Sequence, residues 1–230
     1  MPSGSGDTTY NYVQIFVWVI ISFLFAVTWV LLDRKHTSYR RLAYWLRIFM
    51  RYYLGYTLLV YGFVKIIKLQ FPSPGLVRLV QPYGDSSPMG LAWTFVGFSN
   101  GYNMYIGGAE VLAGSLLFFK RTTLLGSLLS MTVMMNVAAM NFAYDIPVKL
   151  FSLNLVLFSV YLAAFDWQRI RNVFFLNRPA VYSFSYSQPD KDHLLFAGRS
   201  GNDIFCYRAL LGAVFFFDAA FFFAVPFFAG

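Results

Sequence analysis

Residues 13–32 contain no charged side chain, and the first basic residue, Arg34, comes only after that run ends. An α-helix needs about 20 consecutive apolar residues to cross the hydrocarbon core of a bilayer, so this run restricts the fold more than any other feature. A cleavable signal peptide places its basic residues ahead of a shorter apolar stretch. Here the order is reversed, and the run reads as a helix that stays in the chain. Further apolar runs follow at 43–69, 102–119, 124–144, 148–165 and 209–229. The second has Arg47 and Arg51 at one end and Lys65 and Lys68 at the other, and the third is interrupted by Glu110. The fourth carries Asn136 and Asn141, the fifth opens after Pro147, and the sixth holds eight Phe together with Asp218. Proline suits the first turn of a helix, where its missing N–H costs nothing.

Composition agrees with lipid as the solvent. The chain is 58% hydrophobic and 12% charged, against about 45–50% and about 25% in soluble domains. The 27 Phe, 16 Tyr and 5 Trp exclude a disordered chain. A single cysteine, Cys206, excludes a disulfide framework, a redox CxxC pair and a thiolate zinc site. The two histidines, His36 and His193, lie outside the apolar runs, so paired axial ligands for a membrane haem are missing. No metal-ligand cluster, phosphate loop or nucleophile–base arrangement is visible. An autonomous enzyme is therefore disfavoured.

Lysine and arginine accumulate on the cytoplasmic side of membrane proteins. With the N-terminus outside, segments 33–43, 120–122 and 166–208 are cytoplasmic. The inner ends and loops then collect 14 of the 18 basic residues, leaving Lys65, Lys68, Arg78 and Lys149 outside. The net charge of +8 is thereby explained by attraction to an anionic inner leaflet rather than to nucleic acid. The expected location is the cell (inner) membrane, with the bilayer itself as the principal partner.

The expected fold is an all-α integral membrane protein. Residues 1–42 form an N-terminal span and basic loop, 43–179 a core of four transmembrane helices, 180–208 a polar cytoplasmic linker, and 209–230 a sixth span. That last run ends in Phe-rich sequence with no basic flank, which is also consistent with an incomplete reading frame. In the outer loop 70–101, Pro72, Pro74, Pro82 and Pro88 alternate with Gly75, Gly84 and Gly90, a pattern of successive turns. The stretch 91–98 within it is apolar but too short to span.

A charge inside the bilayer costs about 2.5–3.5 kcal/mol on insertion scales and so needs a reason. Glu110 lies near the middle of its run. Asn103, Gly107, Glu110 and Gly114 recur at i, i+4, i+7 and i+11, one helical face whose glycines admit a close neighbour. On the second helix Leu58, Tyr61, Lys65 and Lys68 share a spacing, with Gly55 and Gly62 on another face. Lys149, Ser152 and Ser159 share a face of the fifth, and Asn141 and Asp145 end the fourth at the same level. These placements define an expected polar cavity in the outer half of the bundle, lined by Glu110, Lys65, Asn103, Asn136, Asn141, Asp145 and Lys149, with Glu110 paired to Lys65. It suits a quinone head group, a proton or a small polar ligand. Plainer readings stand beside this one: Lys65 and Lys68 snorkel to the interface, Asp145 caps a helix, and Asn136 bonds a neighbouring helix.

From residue 43 to about 179 the order of elements resembles the DoxX-like family of small four-helix membrane proteins, related to DoxD and MauE-type subunits. The resemblance is carried by Gly62-Phe-Val-Lys65, a Pro/Gly-rich outer loop, Gly107-Gly-Ala-Glu110, Lys120-Arg121 and Asn141-Phe-Ala-Tyr-Asp145-Ile-Pro147-Val-Lys149. Some members of that family are small subunits of a membrane thiosulfate:quinone oxidoreductase, and others accompany redox-protein maturation. The resemblance implies a non-catalytic membrane subunit or accessory of a quinone-linked redox system, with a redox subunit as partner and a quinone as the cofactor it would meet. A carrier or binding protein for a small ligand and a structural or assembly factor are the alternatives. Disulfide chemistry of the MauE type does not fit a chain with one cysteine.

Overall fold

The computed structural model describes residues 7–32 and 40–177, and among these every regular element is helical. The run at 209–229 with Asp218, the linker 180–208, His36, His193 and Cys206 lie outside the described residues. The chain divides into two compact units, one of residues 1–46 with 182–230 and the other of residues 47–181. In the first, α1 (Thr9–Leu32) is apolar nearly all round, with Phe16, Phe23, Leu24 and Leu31 among its exposed side chains and Ser22 and Ala26 buried.

The second unit is built on the greater part of α2 (Arg40–Ile66) and on α5 (Asn100–Phe118), α6 (Thr123–Ala143) and α7 (Lys149–Phe165). Each buries one stripe at helical spacing. On α5 it is Asn103, Gly107, Glu110, Ala113, Gly114 and Leu117; on α6 it includes Gly126, Ser127, Ser130, Met134, Ala138 and Asn141. Helix α5 packs on α6, and α6 on α7. Helix α2 meets α5 through glycines, and meets α7 through Tyr53 against Phe158 and Tyr61 against Phe151, both with ring centroids 5.7 Å apart.

The interior of this unit mixes apolar and polar side chains, while much of its surface is apolar. Lys65, Glu110, Asn103, Ser127, Ser130, Asn154 and Ser159 are buried, while Phe63, Tyr105, Leu112, Leu125, Phe142 and Leu157 face outward. Among the described residues two helices, at 9–29 and 123–143, are long and apolar enough to cross a membrane. Helix α7, at 17 residues, is shorter, and α2 and α5 are diluted by the basic and small residues just named.

Helix ends depart from the apolar runs for local reasons. Helix α2 stops at Ile66 rather than running to Leu69, because Lys68 adopts φ 60°. The Lys68 N–H then donates to the Lys65 carbonyl at 2.9 Å and the Leu69 N–H to the Val64 carbonyl at 3.0 Å, the bonding of a Schellman stop. Asp145, at φ 50°, ends α6 in the same way, with the Ile146 N–H donating to the Asn141 carbonyl at 2.9 Å. Helix α5 starts at Asn100 because the Ser99 hydroxyl accepts from the Tyr102 N–H.

The loop between α2 and α5 is ordered by α3 (Leu76–Val80), a 3₁₀ turn (Tyr83–Asp85) and α4 (Pro88–Phe98). Ser87 caps α4 with Pro88 at its first position. At 11 residues α4 is about 16 Å long, well short of a span. Phe71, 1% exposed, anchors the loop by meeting the Trp93 ring edge-on. Beyond α7, the chain continues as α8 (Trp167–Ile170) and one π-helical turn (Arg171–Phe175).

Candidate functional site: a buried lysine–glutamate pair

The site is set by how closely α2 and α5 approach. A Cβ placed on Gly62 would lie 2.7 Å from the Gly107 carbonyl oxygen, and one on Gly107 would lie 2.7 Å from that of Gly62. Two turns away the contact repeats, where a Cβ on Gly114 would stand 2.8 Å from the Gly55 oxygen. Side chains cannot occupy such gaps, so glycine at four positions lets the two backbones touch and fixes an antiparallel register. Gly55 and Gly62, expected on a separate face of α2, lie instead on the same buried stripe as Leu58 and Lys65. The i, i+3, i+7, i+10 spacing of those four residues is that of one face.

That register explains the pair. Lys65 stands three residues beyond Gly62 and Glu110 three beyond Gly107, which separates their Cα atoms by about 9 Å along the axis. Every Cα–Cβ bond leans toward the N-terminus of its own helix. In antiparallel helices the two leans converge, and the extended side chains close the offset. Lys65 Nζ donates to Glu110 Oε1, with side chains only 5% and 3% exposed. The second carboxylate oxygen, Oε2, is buried with no partner among the described residues. Tyr61, on α2, lies within electrostatic reach of Glu110.

Asn103 lies on the same α5 stripe, fully buried. Its Nδ2 donates to the Phe71 carbonyl at 3.0 Å, tying the loop to the helix, while its Oδ1 is left without a partner. Two polar atoms overlooked in the sequence are also buried and unpartnered, Ser130 Oγ on α6 and Asn154 Nδ2 on α7. An asparagine in the middle of a 17-residue apolar helix was the available signal for the second. Buried polar groups are nearly always bonded, so the open atoms on the buried stripes of α5, α6 and α7 stand out as exceptions.

The remaining expected members stand elsewhere. Asn136 is exposed on α6 and does not face the interior. Asn141 is buried, and its Nδ2 lies 3.5 Å from the Val148 carbonyl, at the turn joining α6 to α7. Asp145 and Lys149 pair across that turn, with the Asp145 side chain 81% exposed. They secure the connection between the two helices. Lys68 is likewise structural: its Nζ donates to Ser73 Oγ at 2.8 Å, the Gly97 carbonyl at 3.0 Å and Asn100 Oδ1 at 2.5 Å.

The chemistry on offer is hydrogen bonding with one balanced charge. Glu110 Oε2 and Asn103 Oδ1 accept, and the ammonium of Lys65 has donors beyond the one used by Glu110. Among the described residues no group of three His, Cys, Asp or Glu is placed to hold a metal ion.

No family model matches the chain, and no solved structure matches it. The chain is 32% identical over 124 residues to the uncharacterized protein YwoB of Bacillus subtilis (strain 168), an alignment covering 54% of this chain and 79% of YwoB. With that identity over most of its relative's length, the chain belongs to the family of YwoB.

Proposed function

We propose that the protein is a multi-pass membrane protein of the DoxX-like type that acts as a non-catalytic subunit or accessory of a quinone-linked redox system. Helices α2, α5, α6 and α7 are the four spans of its core, with α1 preceding them and the N-terminus outside. The outward apolar faces support this reading, since large apolar side chains are exposed on all four helices while Lys65, Glu110, Asn103 and Asn154 are buried. So do the apolar helices at 9–29 and 123–143 and the distribution of basic residues.

The observation that carries the functional reading is the half-used carboxylate of Glu110. One oxygen holds Lys65, and the other is buried with no partner. A quinol hydroxyl can donate to Oε2, and a quinone carbonyl can accept from the Lys65 ammonium, so both redox states of a head group find a partner. Electrons would come from a partner subunit. Ser130 Oγ and Asn154 Nδ2 favour a second reading, a carrier for a smaller and more polar ligand, because a quinone ring does not need them. The test is to purify the protein in mild detergent and measure co-purifying quinone by extraction. Wild type should retain it and Glu110→Gln should lose it by about tenfold, the equivalent of one charge-assisted hydrogen bond. Equal quinone in both, or none in wild type, would reject the quinone reading.

A further inference from the structure

Far from Lys65, where α7 ends, one positive charge finds no carboxylate among the described residues. Asp166 closes α7, its N–H donating to the carbonyls of Ala163 and Ala164. One of its carboxylate oxygens takes Arg47 Nη2 at 2.6 Å, and the other faces Arg169 Nη1 at 3.7 Å. Arg47 also lies over the Phe165 ring. No other acidic residue occurs within 146–177, 111–144 or 40–84. Those segments hold α6, α7 and α8, α2 and the inner half of α5, so this end of the unit has one carboxylate and both of its oxygens are engaged.

Arg51 sits one turn along α2 from Arg47. It is 7% exposed, its Nε is buried without a partner, and its guanidinium lies 4.7 Å from the centroid of the Tyr52 ring. A buried, uncompensated cation is costly, and arginine cannot escape by losing its proton. Among the described residues no carboxylate answers it, which leaves its fork open to an anion from outside the chain. The planar fork of a guanidinium matches the two oxygens of a phosphate. The surroundings identify which phosphate. Tyr52 and Phe118 meet edge-on at 5.4 Å, and Tyr52, Tyr56 and Phe118 all expose their rings on the outer surface of α2 and α5. An anion held there has apolar surface beside it, which inorganic phosphate cannot use and an acyl chain can.

We infer that Arg51 binds the phosphodiester of an anionic phospholipid whose acyl chain lies along Tyr52, Tyr56 and Phe118. The inference rests on the membrane reading above and is independent of the quinone. Its test uses the full chain in nanodiscs of phosphatidylglycerol or of phosphatidylcholine, with retained lipid counted by native mass spectrometry. Wild type should retain phosphatidylglycerol, and Arg51→Gln should lose it by about fivefold, the value of one basic residue at an anionic surface. Arg121→Gln, at an exposed loop arginine, should keep it, and Arg51→Lys, with the charge but not the fork, should fall between.

Thermal midpoints give a second readout should retention be ambiguous. Wild type should melt higher in phosphatidylglycerol than in phosphatidylcholine, and that difference should vanish in Arg51→Gln. Phosphatidylcholine carries the same phosphodiester, but its choline ammonium already balances that charge, so in this lipid Arg51→Gln should cost less than in phosphatidylglycerol. Equal retention by both proteins, or Arg51→Gln destabilised equally in the two lipids, would overturn the inference. A midpoint raised by inorganic phosphate in phosphatidylcholine discs but not by phosphatidylglycerol would overturn the lipid as the source. A protein that enters neither disc would reject the membrane reading as well, whereas loss of lipid selectivity in an inserted protein rejects this inference alone.

Discussion

Replacing Lys65 by Met should be more damaging than replacing Lys65 and Glu110 together. Both side chains are almost fully out of contact with the surface, so screening does little to soften the result. Lys65→Met removes the donor to Oε1, and Oε2 already lacks one, which leaves a carboxylate with no partner at all. Breaking a buried pair from one side costs about 3–5 kcal/mol. The charge at a helix centre alone accounts for about 2.5–3.5 kcal/mol on insertion scales, so the two routes agree on roughly 3 kcal/mol. Glu110→Gln strands the ammonium in the same way. In Lys65→Met/Glu110→Gln neither charge remains, and the double variant should recover most of one single loss. Reversible unfolding in mixed micelles, titrated with sodium dodecyl sulfate, gives the four free energies of the cycle. If the single effects add to within about 0.5 kcal/mol, the residues are energetically independent and the pair plays no part in holding α2 to α5.

The helix crossing makes a prediction of opposite sign at adjacent residues: Gly107→Ala should cost about 1–3 kcal/mol through forced separation of two backbones, while Gly108→Ala, whose Cβ meets nothing within 4 Å, should gain up to about 1 kcal/mol of helix propensity. The same micelle titration decides, and a loss at both positions would show that the crossing is not the cause. Lys68→Ala should cost about 1 kcal/mol more than Lys68→Gly, because both lose three side-chain bonds but only alanine keeps a side chain in the left-handed region; equal losses would remove strain from the account. For orientation, Asp85→Cys in a Cys206→Ser background should react with an impermeant maleimide on intact cells and His36→Cys should not. The reverse pattern would turn the topology over.

Much of this was readable from spacing. The α5 stripe of Asn103, Gly107, Glu110 and Gly114 is buried as a unit, since helical periodicity carries that information directly. Helix ends were harder. The apolar run continues to Leu69, and only a left-handed residue at Lys68, stabilised by bonds to Ser73, Gly97 and Asn100, ends α2 earlier. Those partners are remote in sequence and leave no trace in hydropathy. Asn136 was misassigned for a reason the sequence did contain: it stands five residues from Asn141, about 140° round the helix, and the two cannot face the same interior. Asp166 carries no signal in hydropathy, because its partner Arg47 is remote in sequence and only the fold brings the two together.

Lys65 and Lys68 show how a helix end selects which charge goes inside. Three residues apart on a continuous helix, they would share a face, and both side chains would lean back toward the α2 N-terminus. Two ammonium groups would then compete for one carboxylate. Ending the helix at Ile66 and turning Lys68 to φ 60° separates them. Lys68 leaves the helical lattice and spends its donors on Ser73, Gly97 and Asn100, where it fastens the connection to α5. Lys65, the last basic residue still within the helix, keeps the inward lean and meets Glu110. The glycine contacts hold α5 close enough for that meeting and leave no room for either helix to slide. A carboxylate held by one cation on one side is neutralised as a pair yet keeps an open oxygen. A second lysine in the same place would have closed it. The stop at Ile66 therefore does more than shorten a helix, because it keeps the second lysine away from Glu110 and leaves Oε2 unpartnered among the described residues.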